Sequence, residues 1–314
     1  MITFFATPKP FRGHIRVIQR NAIQSWQRLH SDAEILLLGP EEGTAETAKE
    51  FGLRHEPDIP CNEFGTVILS GLFSRAREIA HHKTVCFINC DIILTNDFLR
   101  AVRAVSGLHD NFLMAGRRWD MPIAEPIDFN DTAWGVELRF AALHEGHQRP
   151  PQWIDYFLFR RDLFTGEIPA FAVGRPGYDN WLIWRARSLG IPVIDASHDV
   201  IAVHQNHDYK HHPGGEKGVW EGEEARRNTA LLGGWSHFCT VQDAKYRLVA
   251  GRLLHSYRHW PLLAQRAAKH ARSTIWFGAL DATRPIRHRL DLRREQTPDS
   301  AKTRLPDEDS ASVT

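Results

Sequence analysis

The sequence predicts an α/β protein built on a single, mostly parallel central sheet with helices on both faces, followed by a C-terminal helical extension. Three observations carry that expectation. Short apolar runs alternate with amphipathic segments from the N-terminus onward, the pattern of strands crossed over by helices. Residues 84–94, TVCFINCDIIL, begin with an unbroken apolar run, as a strand buried on both faces requires. A hydrophobic content of 42% and a charged content of 25% over 314 residues supply enough apolar surface for a large core.

Taken in order, residues 2–6 read as the first strand, and TPKPF follows as a rigid loop because each proline fixes its own φ and biases its predecessor. Ile15, Ile18, Ala22, Trp26 and Leu29 recur at helical spacing, with Arg16, Gln19, Arg20 and Gln24 expected outside. Residues 34–38 form a second strand, 44–51 a helix ended by Gly52, and 53–56 a third strand. Leu69, Leu72, Phe73, Ala76, Ile79 and Ala80 share one face of a helix that feeds the strand 84–94. A helix over 96–105, a strand over 111–115, a helix over 133–143, a strand over 153–159, a helix after Gly177 and a last strand over 200–203 follow. The expected domains are 1–234, split at residue 110 into two halves, then a basic helical extension over 235–294 and a disordered polar tail over 295–314. Val249, Leu253, Tyr257 and Trp260 lie at the spacing of one helical face in that extension.

Charge and cysteine content narrow the class. A net charge of +1 gives no whole-molecule field for nucleic acid. Cys61, Cys86, Cys90 and Cys239 show neither CxxC nor zinc spacing, which points to a reduced, cytoplasmic chain. The apolar N-terminal run is too short for a signal peptide or a span. Residues 245–294 hold twelve Lys or Arg against two Asp, with Ile275, Trp276 and Phe277 among them. Such a segment either lies peripherally on the anionic inner face of a membrane or caps the catalytic domain.

The chemistry-bearing residues sit where strands end. Asn89 and Asp91 close the apolar run 84–94, and two-residue spacing puts them on one side if the strand continues. Asp155 is an acid inside the apolar run 153–159, costly there unless paired, ligating or at a cavity. Asp179 falls at a helix start, where the helix terminus favours its ionised form, so it is either an N-cap or an available base. His204, His207, His211, His212 and nearby His198 cluster after the last strand, ahead of a Gly-rich loop that carries Lys217. Imidazole nitrogen beside a carboxylate oxygen suits Mn²⁺ or Zn²⁺. Neither GxGxxG nor GxxxxGK[ST] occurs, so a nucleotide would have to be held in another way.

Together these residues resemble the nucleotide-diphospho-sugar glycosyltransferases of the GT-A, Rossmann-like fold (family 2-like), over roughly residues 1–234. The family's DxD motif is carried as Asn89-Cys90-Asp91, which departs from the pattern by placing Asn first. The resemblance implies transfer of a sugar from a nucleotide-diphosphate donor to a carbohydrate or glycoconjugate hydroxyl, with inversion, in polysaccharide assembly. It implies a divalent cation, Mn²⁺ or Mg²⁺, held by Asp91 with His204 or His207; Asp179 as base, Asp155 as its companion; and donor contacts from Thr7, Lys9, Arg16, Arg75, Asn89 and Lys217, with Arg75 foremost. The loop 211–220 would close over the donor. A sugar nucleotidyltransferase, a metal-dependent hydrolase and a carbohydrate-binding protein using Trp119, Trp134, Trp153, Trp181 and Trp220 are the competing readings.

Overall fold

The computed structural model describes residues 1–107, 110–208 and 214–256. The chain divides into a unit of Met1–Arg266 and a second of Ala267–Thr314, and every described residue belongs to the first.

Its elements run β1 (Ile2–Ala6), α1 (Gly13–Leu29), β2 (Glu34–Leu38), α2 (Thr44–Phe51), β3 (Arg54–Glu56), α3 (Leu69–Ile79), β4 (Thr84–Ile88), β5 (Ile92–Ile93) and α4 (Asn96–Ser106). There follow β6 (Leu113–Met121), α5 (Trp134–Glu145), β7 (His147–Gln148), β8 (Ile154–Arg160), α6 (Tyr178–Ser188), β9 (Val193–Asp195), β10 (Ala202–Gln205), α7 (Gly215–Glu221), α8 (Glu223–Leu231), β11 (Tyr246–Val249) and β12 (Arg252–His255). The sheet order is β12-β11-β9-β6-β8-β4-β1-β2-β3, with β10 bridging β5 and β6, and β7 on β6. Parallel pairings outnumber antiparallel ones, and β8 runs against both β4 and β6.

Alternation along each strand splits the core into two layers. Phe5, Leu36, Val85, Phe87, Phe157 and Phe159 face α3 and α6, where Leu72, Phe73, Trp181 and Leu182 meet them. Phe4, Leu37, Cys86, Ile88, Tyr156 and Leu158 face α1, α2 and α4 through Ile23, Trp26, Ala48 and Phe98. Period-two side chains on strands and apolar stripes on helices thus cover both faces of the sheet. A smaller cluster of Ile93, Met121, Ile201 and Val203 lies under α5.

Several local expectations are corrected. The run 84–94 is two strands, and Asn89-Cys90-Asp91 is the turn between them, so Asn89 and Asp91 do not continue one strand. The strand expected over 111–115 extends to Met121 by passing through a bulge between Ala115 and Arg117. Gly116 sits at that bulge against the Tyr156 hydroxyl, where any Cβ would clash. Gln19, expected outside, is buried. The strand expected over 200–203 is Ala202–Gln205, which brings His204 into the ladder. The helical extension expected over 235–294 starts instead with short 3₁₀ turns and a hairpin, in which β11 joins β9, and Val249 and Leu253 belong to paired strands. Ala250 and Gly251 connect them with φ of 51° and 73°, the left-handed turn a two-residue hairpin favours. The boundary expected at 234 therefore falls inside the sheet-bearing unit, while residues 257–314 lie outside the described residues.

Candidate active site

A cavity of about 860 Å³ opens beyond the ends of β1, β4, β8 and β10. Open α/β sheets place ligands there, outside the strand ends. Thr7, Lys9, Asn89, Asp91, Asp155, Asp179, His204 and His207 all line it. Three other expected donor contacts do not. Arg75 points along the outer side of α3, where its Nη2 donates to Glu56 at 2.7 Å and its Nη1 to Glu78 at 3.1 Å. Arg16 and Lys217 are exposed and outside the lining. His198 is exposed as well, and His211 and His212 lie outside the described residues.

The strand pairings explain how Asp91 meets the histidines. In register, His204 of β10 lies opposite Ile92 on one side and Asp120 on the other. Ligand atoms of Asp91, His204 and His207 come within 4.8 Å of one another. Asp91 Oδ2 is 3.2 Å from His207 Nε2 and 4.0 Å from His204 Nε2, while Asp91 Oδ1 is buried without a hydrogen-bond partner. One orphaned carboxylate oxygen beside two imidazoles is a donor set that fits a borderline divalent ion. Burial pushes the Asp91 carboxyl upward, but its neighbours, the Lys9 ammonium foremost, outweigh it and hold it well below the usual carboxylate range. The carboxylate is thus available as a ligand.

Residues not singled out by the sequence complete the arrangement. Asp120 Oδ1 lies 3.2 Å from His204 Nδ1, the place an outer carboxylate takes beside an imidazole that ligates a metal. Arg118 Nε donates to Asp120 at 2.8 Å and its Nη1 to Asp155 at 3.1 Å, with its guanidinium 4.6 Å over the Trp153 ring. Asn89 Nδ2 donates to the other oxygen of Asp155 at 2.7 Å, so the Asn of the turn serves Asp155 rather than the Asp91 cluster. Gln205 donates from its backbone and its side-chain amide to the Asp91 carbonyl, and from the amide to the Ile18 carbonyl, tying the turn to α1. Gln19 clamps Lys9 by donating to its carbonyl at 2.8 Å and accepting from its N–H at 2.6 Å. A glutamine nearly two helical turns past a loop carries no signal in sequence that it bonds that loop.

Asp179 is not the N-cap; that is Gly177, at φ 105°, a conformation glycine adopts freely. Asp179 lies in the first turn and accepts from Asn180 N–H at 2.9 Å. Its partial solvent contact is through the cavity, and it is otherwise surrounded by protein. The expectation that the helix terminus keeps it ionised is corrected: burial raises its pKa to about 7, helped by the nearby Asp155 and opposed by the Asn180 and Gly177 N–H groups. Trp153 and Trp220 meet edge to face at 5.2 Å on the same cavity wall. Trp181 is core, and Trp119 and Trp134 pack against the cluster around Ile93 and Met121, so none of these three lines this cavity.

No family model matches the chain, and no curated protein does. Among solved structures it is similar to residues 1–349 of S. aureus TarS, at 10% identity and TM-score 0.40 over 66% of this chain, and it spans 58% of that one. It is also similar to a mycobacterial protein at 18% identity, TM-score 0.45, covering 76% of this chain and 74% of that one. A further similarity is to glucosyl-3-phosphoglycerate synthase from Mycobacterium tuberculosis in complex with Mn²⁺, uridine diphosphate and glucosyl-3-phosphoglycerate, at 15% identity, TM-score 0.43, over 76% and 80%.

Proposed function

We propose that the protein is a metal-dependent glycosyltransferase that moves a sugar from a nucleotide-diphosphate donor to an acceptor hydroxyl, with inversion. The observation that carries this reading is a single cavity with a carboxylate–bis-imidazole set at one place and an acid of pKa about 7 on its wall. Asp91, His204 and His207 would hold Mn²⁺ or Mg²⁺. A divalent ion there supplies positive charge against the diphosphate of the leaving group.

The chain's own residues do the remaining work. Lys9, whose side chain faces the cavity beside Asp91, gives a diphosphate an ammonium partner, and Thr7 lines the path to the nucleoside. Asp179 accepts the proton of the acceptor hydroxyl as that oxygen attacks the anomeric carbon, and the diphosphate leaves with the electron pair of the broken C–O bond. A base with pKa near the working pH is matched to that proton. Asp155, fixed by Arg118 and Asn89, is a positioning acceptor for sugar hydroxyls rather than a second base. Trp220, partly exposed at the cavity on α7, offers an apolar face to a sugar ring.

Calorimetry with nucleoside diphosphates, with and without Mn²⁺, tests the reading: metal-dependent binding is expected, and binding indifferent to metal overturns it. A donor screen by product mass then separates transfer from hydrolysis, because a hydrolase releases free sugar whatever acceptor is present. We place the activity in the cytoplasm. No helix among the described residues is long and apolar enough to cross a membrane. Peripheral attachment through the basic stretch 245–294 rests on its charge and aromatics alone. Cosedimentation of the full chain with anionic vesicles checks it, and an unbound chain removes it.

A further inference from the structure

We propose that Lys9 is a resident counter-cation of the Asp91 site, which a divalent ion must displace, and that the donor's diphosphate is what draws Lys9 away. The proposal rests on the transferase reading and adds to it a coupling: metal and diphosphate enter together because one side chain stands in the way of the metal alone.

Lys9 Nζ lies 2.9 Å from His207 Nε2 and 3.2 Å from Asp91 Oδ2. An ammonium only donates, so Nε2 must present its lone pair to Lys9. His207 Nδ1 lies 2.8 Å from the Asp208 carbonyl, which only accepts, so the ring proton is on Nδ1. Asp91 Oδ2 and His207 Nε2, 3.2 Å apart, are then two acceptors facing each other. Two lone pairs at that separation repel unless a cation lies between or beside them, and Lys9 is the cation that touches both. The separation is also that of two adjacent ligands on one ion, since bonds of about 2.0–2.2 Å at a right angle span about 3 Å. Lys9 therefore neutralises the same two atoms that a divalent ion would take.

The stem of Lys9 is built for the ammonium alone to move. Pro8 and Pro10 flank it, and the Gln19 amide holds its backbone N–H and carbonyl at 2.6 and 2.8 Å. The side chain is 31% exposed, toward the cavity, so the ammonium has room to leave Asp91 without the loop following. An ion arriving by itself brings no anion to receive the ammonium. A diphosphate supplies oxygens to which Lys9 can donate, so the exchange becomes favourable only when both arrive. Linkage makes this reciprocal: whatever diphosphate adds to metal affinity, metal adds to diphosphate affinity.

The test is Mn²⁺ binding followed by electron paramagnetic resonance, first with Mn²⁺ alone and then with saturating uridine diphosphate, on the native chain, Lys9→Met, Lys9→Arg and Asp91→Ala. Lys9→Met is expected to bind Mn²⁺ alone at least tenfold more tightly than the native chain, and to show a correspondingly smaller gain on adding uridine diphosphate. Lys9→Arg, which keeps the charge, is expected to stay within threefold of native for Mn²⁺ alone. Should Lys9→Met fail to fold, Lys9→Gln carries the same expectation. Unchanged or weaker binding of Mn²⁺ alone in the neutral variant overturns the proposal, provided Asp91→Ala abolishes binding in the native background. Absence of Mn²⁺ binding to the native chain even with uridine diphosphate would instead sink the metal-dependent transferase reading itself.

Discussion

Arg118 Nη1 donates to Asp155 Oδ2 at 3.1 Å with both side chains only 10% exposed, so the cavity rests on a buried ion pair. The same guanidinium reaches Asp120, which faces His204, and thus joins the acceptor side of the cavity to the histidine side. Removing one partner of a buried pair strands the other, at a cost of about 3–5 kcal/mol. Arg118→Met is expected to lose roughly that much stability in urea unfolding and to reduce transfer at least a hundredfold. Adding Asp155→Asn should return stability without returning transfer; a double variant no more stable than the single one removes the pair as the cause.

Asp179 makes opposite demands on stability and catalysis. Its folded pKa of about 7 lies above the ordinary aspartate value of 3.8, so the folded chain binds this proton more tightly than the unfolded one. Between those two values stability therefore falls as pH rises, and the penalty is complete above about pH 7. Asp179→Asn is expected to raise the melting temperature at pH 8 while leaving it nearly unchanged at pH 4. Transfer needs the ionised acid, so kcat should climb toward a plateau above pH 7 in the native chain and drop by two to four orders of magnitude in the variant, with donor binding kept. Unaltered turnover in Asp179→Asn excludes it as the base.

Asp120 faces His204 Nδ1 at 3.2 Å, and in the transferase reading it would act through that imidazole. Outer carboxylates of this kind are worth about 10–100-fold in metal affinity. Asp120→Asn is expected to weaken Mn²⁺ binding in the presence of uridine diphosphate by that factor, whereas Asp91→Ala abolishes it. Calorimetry distinguishes them, and an Asp120→Asn chain with native Mn²⁺ affinity would leave Asp120 as a partner of Arg118 and Arg149 only.

What the sequence disclosed follows from what is local. Apolar runs ending in polar residues located β1, β2, β4 and β8; a strand end nominated Asp91, the cost of an acid in an apolar run nominated Asp155, and the histidine cluster after the last strand nominated His204. Pairings between distant segments were hidden. Arg75 looked free for phosphate because nothing near it in the chain showed that Glu56 of β3 would bind it. Asp120 fell outside the expected strand because GRRWD is polar, although the bulge at Gly116 lets β6 continue through it. Val249 and Leu253 satisfied a helical step of four, yet Ala250-Gly251 turned them into facing strands. Asp179 was legible as a residue but not as an acid, since burial, not the helix terminus, decides its charge.

Gly116 tests whether that bulge is what carries β6 from the main sheet to β10. Upstream of it Leu113–Ala115 pairs β8 and β9; downstream Arg118–Met121 pairs β10 and places Arg118 and Asp120 at the site. A methyl group at Gly116 would run into the Tyr156 hydroxyl and crowd the Ser197 N–H, while that hydroxyl has no hydrogen-bond partner of its own. Overpacking of this kind costs about 1–3 kcal/mol. Gly116→Ala is therefore expected to lower stability by that amount and to weaken Mn²⁺ binding, because the strand carrying Asp120 must shift. Tyr156→Phe removes the obstructing oxygen and an unsatisfied buried group together, so the Gly116→Ala/Tyr156→Phe pair should be more stable than Gly116→Ala alone. If the second substitution restores neither stability nor metal binding, the close approach of Tyr156 is not what requires glycine at the bulge.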